Sequence, residues 1–257
     1  MSGSEETFSA QSLFRERANR APVATATRLV ATNAALLIAL AACEVGGAYN
    51  YELEETENRT YRADGIEAIE LDTINGSISV VVTSGDRDAI EADITRRCTG
   101  QDQADASEHL DRVVVSDAIV GEKLSVGADM PSSEPRDYGA DLDLTTPPVS
   151  GLELDTVNGE IAVEGHEGRV VAAVVNGSIR CEMEALGASD IIDLSAANGS
   201  LELRLPADVS ARLDVSTVNG EVSVIGFDSS ELDSAGPTRA TGTLGGGEAE
   251  VKMSTVN

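Results

Sequence analysis

The chain has 257 residues, with 45 acidic side chains against 18 basic ones and a formal net charge of −27. So acidic a surface repels phosphate backbones and anionic headgroups, and with three Phe, four Tyr and no Trp it offers bases no stacking platform, which excludes nucleic-acid binding. An apolar share of 41% excludes an acidic disordered chain and leaves a core built from Val, Ile, Leu and Ala, which suits β structure.

In chain order, residues 29–42 read LVATNAALLIALAA, preceded by Arg15, Arg17, Arg20 and Arg28. A bilayer-spanning helix needs about 20 apolar residues, so this shorter run predicts a secretory signal. It ends Leu40-Ala41-Ala42-Cys43, which resembles the bacterial lipobox. That resemblance implies removal of residues 1–42, a lipid on the Cys43 thiol and attachment to the bacterial cell membrane or outer membrane. The basic region ahead of the run is long for a signal, and a start at Val23 would leave a compact one. Residues 43–65 are polar and include EETEN, predicting a tether.

From residue 66 onward a repeat organises the chain. Asn-Gly recurs at Asn75-Gly76, Asn158-Gly159, Asn176-Gly177, Asn198-Gly199 and Asn219-Gly220, and a sixth copy stops at Asn257. Six and four residues before each Asn stand apolar side chains, such as Leu152 and Leu154 or Ile192 and Leu194. Three and five residues after it the same holds, as at Ile161 and Val163 or Ile179 and Cys181. Polar residues fill nearly all the intervening places. This is period-2 alternation on both sides of a fixed change of direction. If Asn-Gly is a hairpin turn, the chain is an antiparallel meander. If it is a corner, successive copies stack as coils of a β-solenoid. The same residue types recurring at each offset favour the solenoid.

Between the first and second copies, residues 88–98 alternate as a strand, 104–112 predict a short helix, 113–126 a pair of strands, and 127–151 a Pro-containing loop. Another loop surrounds Gly245-Gly246-Gly247. Residues 66–257 therefore predict one elongated all-β domain with a short helix and loop inserts. The repeated T-V-N-G blocks, the Leu144-Thr145-Thr146-Pro147-Pro148 lead-in, a helix ending near Leu110 and the late G-G-G-x-A-x-V run resemble the bacterial "putative adhesin" families of β-strand-repeat proteins. The resemblance implies a right-handed β-solenoid, exported or membrane-attached, with no assigned catalytic site.

Candidate chemistry is sparse. Cys98 and Cys181 could pair in an oxidising compartment, but Cys181 occupies an inward place of the repeat, so two buried free thiols are expected. His109 falls on the helix and His166 in the 164–168 turn, without metal-ligand spacing, and no cofactor or metal is expected. Three residues before each Asn, the contiguous copies read Asp155, Ala173, Ser195 and Ser216, a broken acidic column. Five before, Asp193 and Asp214 would adjoin, making either a weak cation site or, preferably, a solvated acidic face. The expected function is a non-enzymatic lipoprotein presenting its surface for adhesion or to a cell-envelope ligand. The alternative is a carbohydrate-active enzyme using Asp137, Asp141 and Asp143.

Overall fold

Alternation on both sides of Asn-Gly gives each copy two half-strands with one face to bury, and burial requires neighbours in register. The computed structural model describes residues 33–40, 49–85, 87–131, 134, 136–218 and 232–256, and is all-β with one short helix. Strand β1 (Asn33–Leu40) pairs antiparallel with β2 (Tyr51–Arg62). The first copy forms β3 (Ala68–Asn75) and β4 (Ile78–Val82), and β5 (Ala89–Gly100) follows. Helix α1 (Gln103–Leu110) starts where the Asp102 carboxylate accepts from the Asp105 amide at 2.9 Å, and it buries Ala106 and Leu110. Next come the hairpin β6 (Val114–Val120) and β7 (Lys123–Asp129), then β8 (Tyr138–Thr146), which occupies much of the expected loop.

The contiguous copies are β9 (Gly151–Glu167), β10 (Arg169–Ala185), β11 (Ile191–Arg204) and β12 (Ala211–Thr217). Strands β13 (Leu232–Ala235), β14 (Arg239–Leu244) and β15 (Ala249–Thr255) complete the chain. Strands β9, β10 and β11 are parallel and stack offset for offset, so that Leu152, Val170 and Ile192 align, as do Asn158, Asn176 and Asn198. That pairing rules out a meander for these copies. The inward side chains from both halves of each rung, among them Leu154, Ile161, Val163, Ile179 and Cys181, join one buried cluster and are at most 1% exposed. Full burial of each stabilises by about 1.5–3 kcal/mol.

At β9 the sheet forks. Its incoming half pairs with β3, then β7 and β6; its outgoing half pairs with β4, then β8, β5 and β2. Two features of the ends differ from the sequence expectation. First, β2 lies within the expected tether and is hydrogen-bonded to β5 from Tyr51 to Arg62. Its polar look has a reason: Arg59 is 13% exposed yet contacts Glu57 and Asp117 at 2.5 and 2.6 Å, the latter on β6, so the two branches meet across an ion cluster. Secondly, the sixth copy does not follow the fifth. Strand β15 runs parallel between β11 and β12, aligning Ile192, Val251 and Leu213.

Candidate functional site

The corner carries the repeat's signature residues, and the structure shows why they are needed. A Cβ on Gly159 would lie 1.9 Å from the carbonyl oxygen of Gly76; on Gly177, 1.8 Å from that of Gly159; on Gly199, 1.5 Å from that of Gly177. Left-handed tolerance explains only part of this, because positive φ occurs at Gly177 and Gly199 and not at Gly76 or Gly159. The common requirement is close approach of one rung's backbone to the next.

The asparagines form a ladder. The Asn158 side-chain amide donates to Asn75 Oδ1 at 2.6 Å, Asn176 to Asn158 at 2.8 Å, and Asn198 to Asn176 at 2.9 Å. Asn75 ends the series by donating to the Tyr138 carbonyl at 3.1 Å. Such ladders arise wherever identical amides stack at the strand spacing. Two residues before the Asn, Thr156 donates its hydroxyl to the Gly76 carbonyl at 3.0 Å, and Thr255 to that of Gly199 at 3.4 Å. Replacing Asn176 by Ala removes a donor to one neighbour and an acceptor from the other. Because the ladder is solvent-exposed, the expected loss is about 1 kcal/mol, read as a lower urea midpoint with an unchanged m-value.

The three aspartates considered for catalysis separate. Asp141 is held in place: its Oδ1 accepts from the Ser77 amide at 2.7 Å and its Oδ2 from Arg97 at 2.5 Å. Asp137 points to solvent beside β8. Asp143 stands opposite Asp93 on antiparallel β5, and Asn58 donates to Asp93 in turn. Partial burial, then Asp141 and Asp93, push the Asp143 carboxyl above the usual carboxylate range. The two acids line a shallow cavity of about 350 Å³ with Asn58, Arg59, Ser79 and Glu91. Sequence reasoning missed Asp93 and Asn58, since only cross-strand register brings them to Asp143.

The suggested Asp193–Asp214 cation site is corrected by β15. Lys252 stands in register between Asp193 and Asp214, so a cation from the chain itself occupies that row. Glu250, and more weakly the two aspartates, raise the Lys252 pKa. The chain's other lysine, Lys123, bridges rungs similarly, 2.6 Å from Glu70 and 3.9 Å from Glu153. Further upstream the acidic column gains a member, as Asp72 aligns with Asp155. Among the described residues no three His, Cys, Asp or Glu side chains are grouped to hold a metal, and no helix is long and apolar enough to cross a membrane.

Cys98 and Cys181 are both free and buried, and burial pushes their thiols up to about 11 and about 12, so neither is a reactive thiolate at neutral pH. His109 contacts the Asp105 carbonyl at 2.8 Å on α1. His166 is fully buried rather than in an open turn, and its Nδ1 has no hydrogen-bond partner. Burial lowers its pKa below 6.5. The folded imidazole thus stays neutral where the unfolded one protonates, so stability is complete above that pH and falls as pH drops through it. Urea midpoints from pH 7.5 to 5 should show wild type losing up to about 1.4 kcal/mol per pH unit more than His166→Leu.

Of the other sequence-derived site residues, Cys43, Ala41, Ala42, Asn219 and Gly220 lie outside the described residues, and Leu40 ends β1.

No family model and no curated protein matches the chain. A solved structure described as a "putative cell adhesion protein" from Clostridium sporogenes is similar at a TM-score of 0.52 and 9% identity, covering 79% of this chain and 94% of that one. At that identity the likeness is one of fold. A "putative lipid binding protein" from Parabacteroides distasonis, at 15% identity, covers 58% of this chain and 62% of its own, with a TM-score of 0.25. A "putative adhesin" from the same organism, at 9% identity, covers 58% and 69%, with a TM-score of 0.22. Scores this low add nothing to the argument.

Proposed function

We propose that the chain is an exported, lipid-anchored, non-enzymatic scaffold whose parallel rungs form a right-handed β-solenoid and present a repetitive acidic surface for adhesion or cell-envelope contact. The observation that carries the proposal is the in-register stack. It aligns Asn158, Asn176 and Asn198 at one exposed corner and pairs outward charges between rungs, such as Arg180 with Glu202 at 3.2 Å and Arg204 with Glu182 at 3.6 Å. A surface built this way repeats one chemistry at the strand spacing instead of converging side chains on one point. The fold likeness to the solved "putative cell adhesion protein" supports this reading. The lipobox-like sequence Leu40-Ala41-Ala42-Cys43 supports this reading, with the lipid on the Cys43 thiol.

Metabolic labelling with a fatty-acid analogue tests the anchored half of this proposal. Label is expected on wild type and absent from Cys43→Ala; an unlabelled wild type removes the anchor.

The Asp93–Asp143 cavity favours a second reading, a carbohydrate-active site in which the raised Asp143 carboxyl is the acid and Asp93 its charged partner. Turnover of any polysaccharide in a panel, abolished by Asp143→Asn, would establish this reading and displace the scaffold. Unchanged polysaccharides leave the scaffold in place.

A further inference from the structure

One edge of the stack is uncharged. Immediately before the corner asparagines stand Ile74, Val157, Val175 and Ala197, and in-register pairing makes them one column that runs on to Val256 and Val218. The residues preceding the first four, Thr73, Thr156, Val174 and Ala196, turn inward and are at most 3% exposed, so the column itself faces out. Ile74, Val157, Val175 and Ala197 are half-buried, and Val256 and Val218 are 54 and 65% exposed. Strand spacing sets neighbouring members about 4.8 Å apart. Beside them run the asparagine ladder and the corner glycines, and of the next residues, Ser77, Glu160, Ser178 and Ser200, only Glu160 is charged. The result is a straight strip of aliphatic and amide groups on a chain of net charge −27.

The N-terminal approach to the fold reaches the same edge. Leu53 pairs with Cys98 and Cys98 with Tyr138, whose carbonyl accepts from Asn75, the first member of the ladder. Leu53 and the corner asparagines therefore lie on one line across the strands, and β2 enters the fold at its corner end. Tyr49 is fixed just ahead of β2. The Arg136 guanidinium lies 4.5 Å from its ring centre, and Asp105 holds that guanidinium at 2.7 and 2.9 Å. Five residues separate Tyr49 from Cys43. Fully extended, they let Cys43 stand at most roughly 20 Å from Tyr49, less than the length of the strip.

We propose that this edge lies along the bilayer that holds the Cys43 lipid, with the aliphatic column at the headgroup boundary and the long axis of the stack parallel to the membrane. The proposal rests on the lipid-anchor reading and adds an orientation to it. The lipid supplies attachment, and the strip decides which edge faces down. A second copy is a poorer occupant, because joining two strips brings two strongly acidic chains together, whereas a zwitterionic headgroup layer adds no like charge. In this orientation the outward charges on the two faces, Glu153 and Asp193 on one and Arg180 and Glu202 on the other, stay in water.

The test is fluorescence quenching by brominated phosphatidylcholine, using full chain processed in cells and reconstituted into phosphatidylcholine vesicles through its own lipid. A fluorophore is attached at Asn176→Cys, on the strip and away from the anchored end, or at Glu167→Cys, at the turn between β9 and β10 on the opposite edge. Cys98 and Cys181 are buried and do not compete for it. The Asn176 site is expected to lose about half of its emission or more, as for a group ~5–10 Å into the headgroup boundary, and the Glu167 site none. Adding Val175→Asp should abolish the loss at the Asn176 site without releasing the chain from the vesicles. Chain that does not float with the vesicles overturns the anchor and this orientation together. Chain that floats with the Asn176 site unquenched overturns the orientation alone, as does equal quenching at both sites or quenching that Val175→Asp leaves unchanged. The comparison of the two labelled sites holds even if the Val175→Asp variant folds poorly.

Discussion

Gly177→Ala is expected to lower the unfolding free energy by about 3 kcal/mol or more. The new Cβ would sit 1.8 Å from the Gly159 carbonyl oxygen, and that oxygen belongs to a backbone held in register on both sides, so it cannot retreat without opening the rung. The φ of 152° at Gly177 adds a conformational cost that alanine also bears. Gly151→Ala is the control. It lies at the start of the neighbouring strand β9, its Cβ would come no closer than 3.9 Å to any neighbour, and its φ is not in the positive range. Denaturant melts of the two variants should therefore differ by nearly the whole of the Gly177→Ala effect. If both are equally mild, the rungs are not packed at the spacing described.

The second large effect is expected at the opposite end. Arg59 lies between Glu57 and Asp117, with side-chain exposures of 13, 21 and 9%. Burial alone would lower the arginine pKa, but Glu57, then Tyr61 and Asp117, outweigh that and raise it. Arg59→Met leaves two enclosed carboxylates facing each other, at an expected cost of about 3 kcal/mol. That cost should shrink as pH falls and the carboxylates protonate, a pH dependence that lost packing alone would not produce. Making Glu57, Arg59 and Asp117 all leucine should recover most of the stability. It should also promote association through the β6 edge in sedimentation experiments, since an inward charge at a sheet edge discourages pairing by another chain. A stable triple variant that remains monomeric would leave that last role without support.

How much of this was legible follows from how a stack encodes itself. Because the rungs are parallel and in register, a place in the fold is also a place in the repeat, and Leu154, Ala172 and Leu194 could be assigned inward from spacing alone. The Asn-Gly pairs are legible for the same reason, but only half of their purpose is. Backbone tolerance is a property of a residue, whereas the approach of Gly177 to Gly159 is a property of two rungs. The β2 segment reads as a tether because Glu57 and Arg59 stand between Leu53 and Tyr61 on its inward face, and polarity there becomes sensible only with Asp117 in view. The Asp93–Asp143 row was invisible, as nothing local tells β5 which strand it will lie beside. Asp193 and Asp214 do not adjoin because β15, the more distant copy in sequence, lies between β11 and β12 in the sheet.

That last displacement bears on how the molecule is made. Strands β9, β10 and β11 can add one after another as the chain emerges, each closing a short loop onto its predecessor. Strand β12 cannot follow them, because its place is defined by β15, the last to appear. Until β15 arrives, the β11 edge and the inner face of β12 both wait uncovered, and the final step is an insertion between two segments already synthesised. Growth from one end thus gives way to a closing move of high sequence separation, and the chain is exposed to misassembly for longest at these late rungs.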